Sequence, residues 1–235
     1  MSRDTPRPAS RLRPRATARA TLTALMLTVS APAVGAQDWA GPYLGVTLGW
    51  SDAAVELQSA GASQPYGSAD LSGGLVALTG GHAWQSGAWV YGAEVSVGTA
   101  QGSGTYTHGS GSSRMRGSES SQITAGLRLG HAFDRVLVSA TAGLAIQRAE
   151  VGMTVLPSER SVGFEEDLNG RYLGLSVDVA LRDGWSARAE ARRYDGLEAR
   201  TPETDFPGGP PQTILSPATW DFDRTELRLS VLRRF

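Results

Sequence analysis

The chain contains neither cysteine nor lysine. The first absence removes a disulfide framework, a thiolate nucleophile and any Cys-ligated metal. The second leaves arginine as all 22 of the basic residues, which we read as a codon-composition effect without functional content. Long apolar runs are missing too: no stretch approaches the roughly 18 to 20 residues that a membrane-spanning helix needs. No GxxxxGK[ST] occurs, so the glycine-rich stretches do not form a phosphate loop. What the chain does have is glycine, 29 residues in 235, scattered through short alternating segments.

Residues 1–20 carry six arginines against Asp4, and an uncharged, largely apolar run from Leu22 to Val34 follows. Val34-Gly35-Ala36 then supplies small residues at the positions a signal peptidase reads. A basic n-region, a short h-region and a small-residue site predict a secretory signal peptide over residues 1–36, cleaved after Ala36. Its removal leaves 16 arginines against 22 carboxylates in residues 37–235. An acidic export product is a poor candidate for nucleic-acid binding.

Eight segments of the remainder alternate with period 2. Tyr43 to Trp50 sets Leu44, Val46, Leu48 and Trp50 against Gly45, Thr47 and Gly49. Leu71 to Trp84 is glycine-rich and less cleanly phased. Trp89 to Thr99 opposes Tyr91, Ala93, Val95 and Val97 to Glu94 and Ser96, and Gln122 to Phe133 opposes Ile123, Leu127 and Leu129 to Thr124 and Arg128. Val136 to Ile146 and Arg171 to Leu181 follow the same rule, the latter placing Ser176 and Asp178 opposite its leucines and valines. Trp185 to Tyr194 opposes alanines to Arg188, Glu190 and Arg192; Thr225 to Phe235 opposes Leu227, Leu229 and Val231 to Glu226 and Arg228. Each is about the nine to eleven residues of a tilted membrane strand.

The connections alternate in length. Gln85–Ala88, Asp134-Arg135 and Arg182–Gly184 are tight turns, whereas Ser51–Asp70, Ala100–Ser121, Gln147–Gly170 and Asp195–Thr219 read as long polar loops. Short turns on one side and long loops on the other are the outer-membrane pattern. The six tryptophans, Trp39, Trp50, Trp84, Trp89, Trp185 and Trp220, all fall at strand ends, where an aromatic girdle meets the membrane–water boundary. These observations predict an all-β fold, an eight-stranded antiparallel up-and-down transmembrane β-barrel over residues 37–235. Both termini are expected in the periplasm and the surrounding lipid of the outer membrane is its first partner.

GPYLGVTLGW, GGHAWQSGAWVYGAEVSVG, LRLGHAFDRVLVSATAGLAIQ, WSARAEARRYD and the final phenylalanine resemble the small Gram-negative outer-membrane β-barrel proteins of the porin family, with an OmpA-like eight-stranded barrel. The resemblance implies that Phe235 serves recognition by the outer-membrane assembly machinery. His82 and His131 stand where that pattern has tyrosine, and Arg233 replaces an aromatic residue.

The inward phase collects Glu94, Arg128, Asp178, Arg188, Glu190, Arg192, Glu226 and Arg228. An eight-stranded barrel is narrow enough for side chains to fill, and buried charges must pair, so these residues predict a lumen charge network that plugs the barrel. The function expected is structural or surface-interacting, with four loops presented to an unidentified partner. A small pore with a charged selectivity ring is the alternative, and a lipid hydrolase using His108, Ser110 and Glu119 is a second. Glu165-Glu166-Asp167 could supply oxygen ligands to a divalent cation but reads as a solvated acidic face. No cofactor, metal or catalytic residue is assigned.

Overall fold

The computed structural model describes residues 37–59, 67–107, 113–155, 160–201, 204–205, 214–215 and 218–235; the predicted leader lies outside them. Within them there is no helix, and so none long and apolar enough to cross a membrane. The strands are β1 (Gly41–Ser59), β2 (Gly67–Ser86), β3 (Trp89–Ala100), β4 (Ser103–Thr107), β5 (Ser113–Phe133), β6 (Val136–Val155), β7 (Arg160–Ala180), β8 (Trp185–Thr201), β9 (Thr204–Asp205), β10 (Ile214–Leu215) and β11 (Ala218–Arg234).

Every neighbour pairs antiparallel, in the order β1-β11-β8-β7-β6-β5-β3-β2, and β2 pairs back onto β1. Leu48 is the hinge of that closure, opposite Leu229 in β11 and Val76 in β2. β4 continues β3 between β2 and β5 after a break at Gln101-Gly102, and Gln101 N–H donates to Gly74 O at 2.8 Å across it. The result is a closed eight-stranded barrel in which β3 and β4 share one stave. β9 and β10 pair only with each other.

The period-2 pattern is what orients the staves. On β3 the exposure alternates residue by residue, with Tyr91, Val95 and Val97 outside and Glu94 and Ser96 inside. Leu127, Leu144, Leu173 and Leu175 are 69–70% exposed, a wasteful arrangement in water and the expected one against lipid. Tight turns join the strands at one end, Gly87-Ala88 and Asp134-Arg135 with two residues and residues 181–184 with four. Asp134 lies at φ 52°, Asp183 at 56° and Gly184 at 76°, and Asp-Gly is the dipeptide that a primed hairpin turn favours.

The four long loops need correction. β1 runs to Ser59, β5 begins at Ser113, β6 runs to Val155 and β8 to Thr201, so much of what reads as loop is strand. Glu165, Glu166 and Asp167 accordingly sit within β7, and Arg148 Nε donates to Asp167 Oδ1 at 3.0 Å. The reason is physical: alternation is legible only where one face meets lipid. Beyond that band both faces can be polar, while the backbone ladder continues through register shifts at Glu119/Ser121, Asn169/Arg171 and Phe222/Arg224.

Two facing glycines seat an interior aromatic. Gly126 and Gly143 pair across β5 and β6, and a Cβ at Gly143 would stand 2.6 Å from Gly126 Cα and 2.7 Å from Tyr172 Cε1. Gly143→Val therefore forces Tyr172 out of its seat and is expected to destabilise the barrel by about 1–3 kcal/mol. Urea unfolding of refolded protein measures this; an unchanged midpoint would mean that the ring moves aside freely.

Candidate functional site

The eight inward charges of the sequence pattern are all buried, and the barrel brings them together. Glu94 on β3 is the hub of one half. Its Oε2 accepts from Tyr43 Oη at 2.9 Å and from Arg188 Nη1, and its Oε1 accepts from Arg192 Nη2 at 2.9 Å. β8, which carries both arginines, lies four staves from β3 in either direction. These bonds therefore cross the full width of the barrel.

Asp178 on β7 extends the network, accepting from Arg188 Nε at 2.8 Å and from Arg128 Nη2. Arg128 also donates to Ser176 Oγ at 3.0 Å. Glu190 Oε1 accepts from Thr141 Oγ1 at 3.0 Å and stands 2.9 Å from Arg192 Nε, an ion pair without hydrogen-bond alignment. Glu226 on β11 is a second hub. It accepts from Tyr194 Oη at 2.7 Å, from Arg224 Nη2 and, weakly, from Arg228 Nη1 at 3.4 Å. Arg228 Nη2 reaches Ser96 Oγ at 2.8 Å, and Ser96 joins a hydroxyl ladder through Thr79 and Thr47 to Ser230.

Arg224 is the member that the strand reading missed. It is fully buried and donates to Gln147 as well as to Glu226. Its parity with Glu226 and Arg228 is the available signal, hidden because the clean alternation in the sequence starts only at Thr225. Tyrosines line the same space. The Arg192 guanidinium lies 4.5 Å from the Tyr172 ring centroid and that of Arg224 lies 5.2 Å from Tyr194. Arginine stacks on such faces while keeping its in-plane donors for carboxylates.

Apolar layers lie at both ends of this polar core. Toward the tight turns, Trp39, Tyr43, Val90, Leu137 and Leu232 pack together with alanines. Toward the loops, Leu71, Leu168, Tyr172, Tyr194 and Leu197 form the other layer. Trp39 thus does not belong to the girdle. It is 0% exposed, its backbone N–H donates to Gln85 Oε1 at 2.7 Å, and Arg234 covers its ring at 5.1 Å. The segment before β1 enters the barrel mouth, where the apolar end layer offers an indole more contact than the interface does.

Trp50, Trp84, Trp89 and Trp185 are on the outer surface. The side chain of Trp220 lies outside the described residues; its backbone pairs with Leu57 and Ala199. His82 packs on Trp84 at 4.5 Å, and His131 lies between Trp89 and Phe133. Arg233 sits 5.5 Å from the Trp185 ring and 5.9 Å from that of Phe235, so the departure from an aromatic there adds a cation to an aromatic pair. Phe235 is outward and exposed, with its N–H bonded to Pro42 O. His108 and Ser110 lie outside the described residues, as does the side chain of Glu119. Among the described residues no group of three or more His, Asp or Glu side chains could hold a metal.

The sequence profile of the outer membrane protein beta-barrel domain matches residues 21–235. The chain belongs to this family. As a member of the outer membrane β-barrel family, it is similar in fold to the outer membrane protein OprG from Pseudomonas aeruginosa, with a TM-score of 0.56 at 12% identity over 83% of this chain and 96% of that one. The outer membrane protease OmpT from Escherichia coli is similar at a TM-score of 0.53 and 6% identity, over 83% and 97% of the two chains. At such identities the likeness is one of fold. No curated protein sequence matches the chain closely enough to extend the comparison.

The network separates two kinds of ion pair. Glu94→Ala leaves Arg188 and Arg192 without a shared buried partner and is expected to cost about 3–5 kcal/mol. Asp195→Ala breaks the exposed Arg171 Nη2–Asp195 Oδ2 bridge of 2.6 Å and is expected to cost under about 1 kcal/mol. Parallel urea titrations distinguish them; equal losses would show that the buried pairs contribute no more than surface ones.

Proposed function

We propose that this family member is a closed outer-membrane barrel: a structural, surface-interacting protein whose lumen is plugged by paired charges and whose strand extensions present loops to an outside partner. The observation that carries this reading is the bonding of Glu94 to Arg188 and Arg192 on the opposite wall. An ion following the axis would have to displace that crossing, then the Glu226–Arg224 pair, and pass the Trp39 and Leu168 layers at the two ends. Each displacement strands a charge in a low-dielectric interior.

Residues 1–36 are read as the export leader, cleaved before assembly. In this orientation both termini and the tight turns face the periplasm and the longer strand ends face outward. Phe235, exposed at the turn end, is the residue assigned to the assembly machinery. The barrel acts as a monomeric anchor, and no reaction is assigned to it.

Single-channel recording in planar bilayers tests the closed lumen. Refolded wild-type protein is expected to give no sustained open conductance. A steady open state whose selectivity changes in Arg128→Gln or Glu94→Gln would replace the plug with a small pore.

A further inference from the structure

The outer surface of the barrel is chemically unlike at its two ends. At the turn end Trp84, Trp89, Tyr91, Phe133, Trp185 and Phe235 are exposed; toward the loops, among the residues whose side chains are described, Trp50 is the exposed aromatic. Arginines mark the boundary toward the loops on three strands. Reading outward from the apolar band, β6 runs Ile146, Arg148, Glu150; β7 runs Leu173, Arg171, Asn169; β8 runs Ala191, Arg193, Asp195. On three consecutive staves the first polar outward residue is an arginine, and no carboxylate stands closer to the band than that arginine.

These arginines have acidic neighbours: Arg148 pairs with Asp167, Arg171 with Asp195, and Arg193 with Asp223. Arg171 spends Nε and Nη2 on one carboxylate oxygen, and Arg193 spends Nη1 on Thr225 and Nη2 on Asp223. A guanidinium carries five N–H donors, so both keep capacity for a further anion. Asp195, directly opposite Arg171, and Asp223, one outward position beyond Thr225, hold the two forks in place. Arg171 and Arg193 also stand on adjacent strands, with Arg193 opposite Leu173 and Arg171 opposite Asp195.

Directly beneath Arg193 the surface is hollow. Ala189 and Ala191 floor a groove of about 780 Å³, walled by Leu175 and Val177 on one side and by Leu227 and Leu229 on the other. Small residues on β8 between leucines on β7 and β11 create the depression. A cationic fork pair above an apolar groove matches one kind of molecule, an acyl chain carrying a phosphate. Planar guanidinium forks suit phosphate oxygens, and long arginine side chains place their charge at the edge of an apolar layer.

We propose that the β7–β8–β11 face is a binding site for a phosphate-bearing acyl lipid of the leaflet at the loop end, with Arg171 and Arg193 on the phosphate and the β8 alanine groove holding an acyl chain. The site rests on the chain being a membrane-spanning barrel and is independent of whether the lumen conducts. Its failure in the experiment below would leave the bilayer recording unaffected, and the reverse holds.

The test uses refolded full-length mature protein in nanodiscs of dioleoylphosphatidylcholine containing a minority of dioleoylphosphatidic acid, with the lipids retained on ejection read by native mass spectrometry. Wild type is expected to retain phosphatidic acid preferentially. Arg171→Gln/Arg193→Gln should weaken that preference roughly tenfold or more, and Ala191→Phe, which fills the groove, should lower retention of both lipids. Heat-dependent gel mobility confirms that each variant is folded, and Asp52→Asn, at another outward rim position, should behave as wild type. Undiminished preference in the double arginine variant overturns the phosphate site, and full competition by free inorganic phosphate would give the two arginines to the free ion and overturn the lipid. Unchanged retention in Ala191→Phe overturns the groove, and conversion of a wild-type dimer to a monomer by that variant would give the groove to a second copy instead.

Discussion

The pairing of β1 with both β2 and β11 is the constraint on which everything else depends. In hydrocarbon an unpaired N–H or C=O costs several kcal/mol, and no water is present to satisfy it. A sheet can exist there only without edges. Closing the ring at Leu48 removes them, and with the edges gone each residue has one of two places, against lipid or inside. The alternation of leucines with serine, threonine, glutamate and arginine follows from that choice.

Eight staves enclose a space that side chains must fill. Here the inward side chains are layered, with apolar clusters toward the two ends and charge in the middle. That order has an electrostatic logic. Carboxylates such as Glu94 and Asp178 are far from bulk water, so each is supplied with several donors drawn from different strands. The tyrosines serve both parts, because a phenol gives a hydroxyl to a carboxylate and a ring to a guanidinium. Tyr194 does both with Glu226 and Arg224. A network fastened across the ring also couples strands remote in sequence, β3 to β8 and β3 to β11, which the backbone ladder does not join.

Legibility from sequence varied with physical setting. Leu127, Leu144 and Leu173 were readable as lipid-facing because lipid demands an apolar residue at every second position, and the same parity placed all eight charged residues inside. The strand extensions were not readable, since beyond the membrane neither face is constrained: β7 passes through Glu165 and Glu166 with no periodic signal. Arg224 was lost with the strand end that carries it. Trp39 misled because position near a strand end suits a girdle tryptophan and a capping one equally, and only packing against Tyr43, Leu137 and Leu232 distinguishes them.

Strand number, antiparallel order and the side each residue takes follow from period and turn chemistry, both local properties that a linear sequence displays. Which charge meets which does not. Glu94 and Arg188 are 94 positions apart, and their contact depends on the stagger at which the ring closes, a quantity summed over every strand pair and shown by none. The same holds for the groove over β8, whose walls come from strands that only the closed barrel sets side by side. Parity could therefore say that these residues share an inside or an outside, and the tertiary structure alone decided their neighbours, because barrel closure converts small register offsets into specific distances.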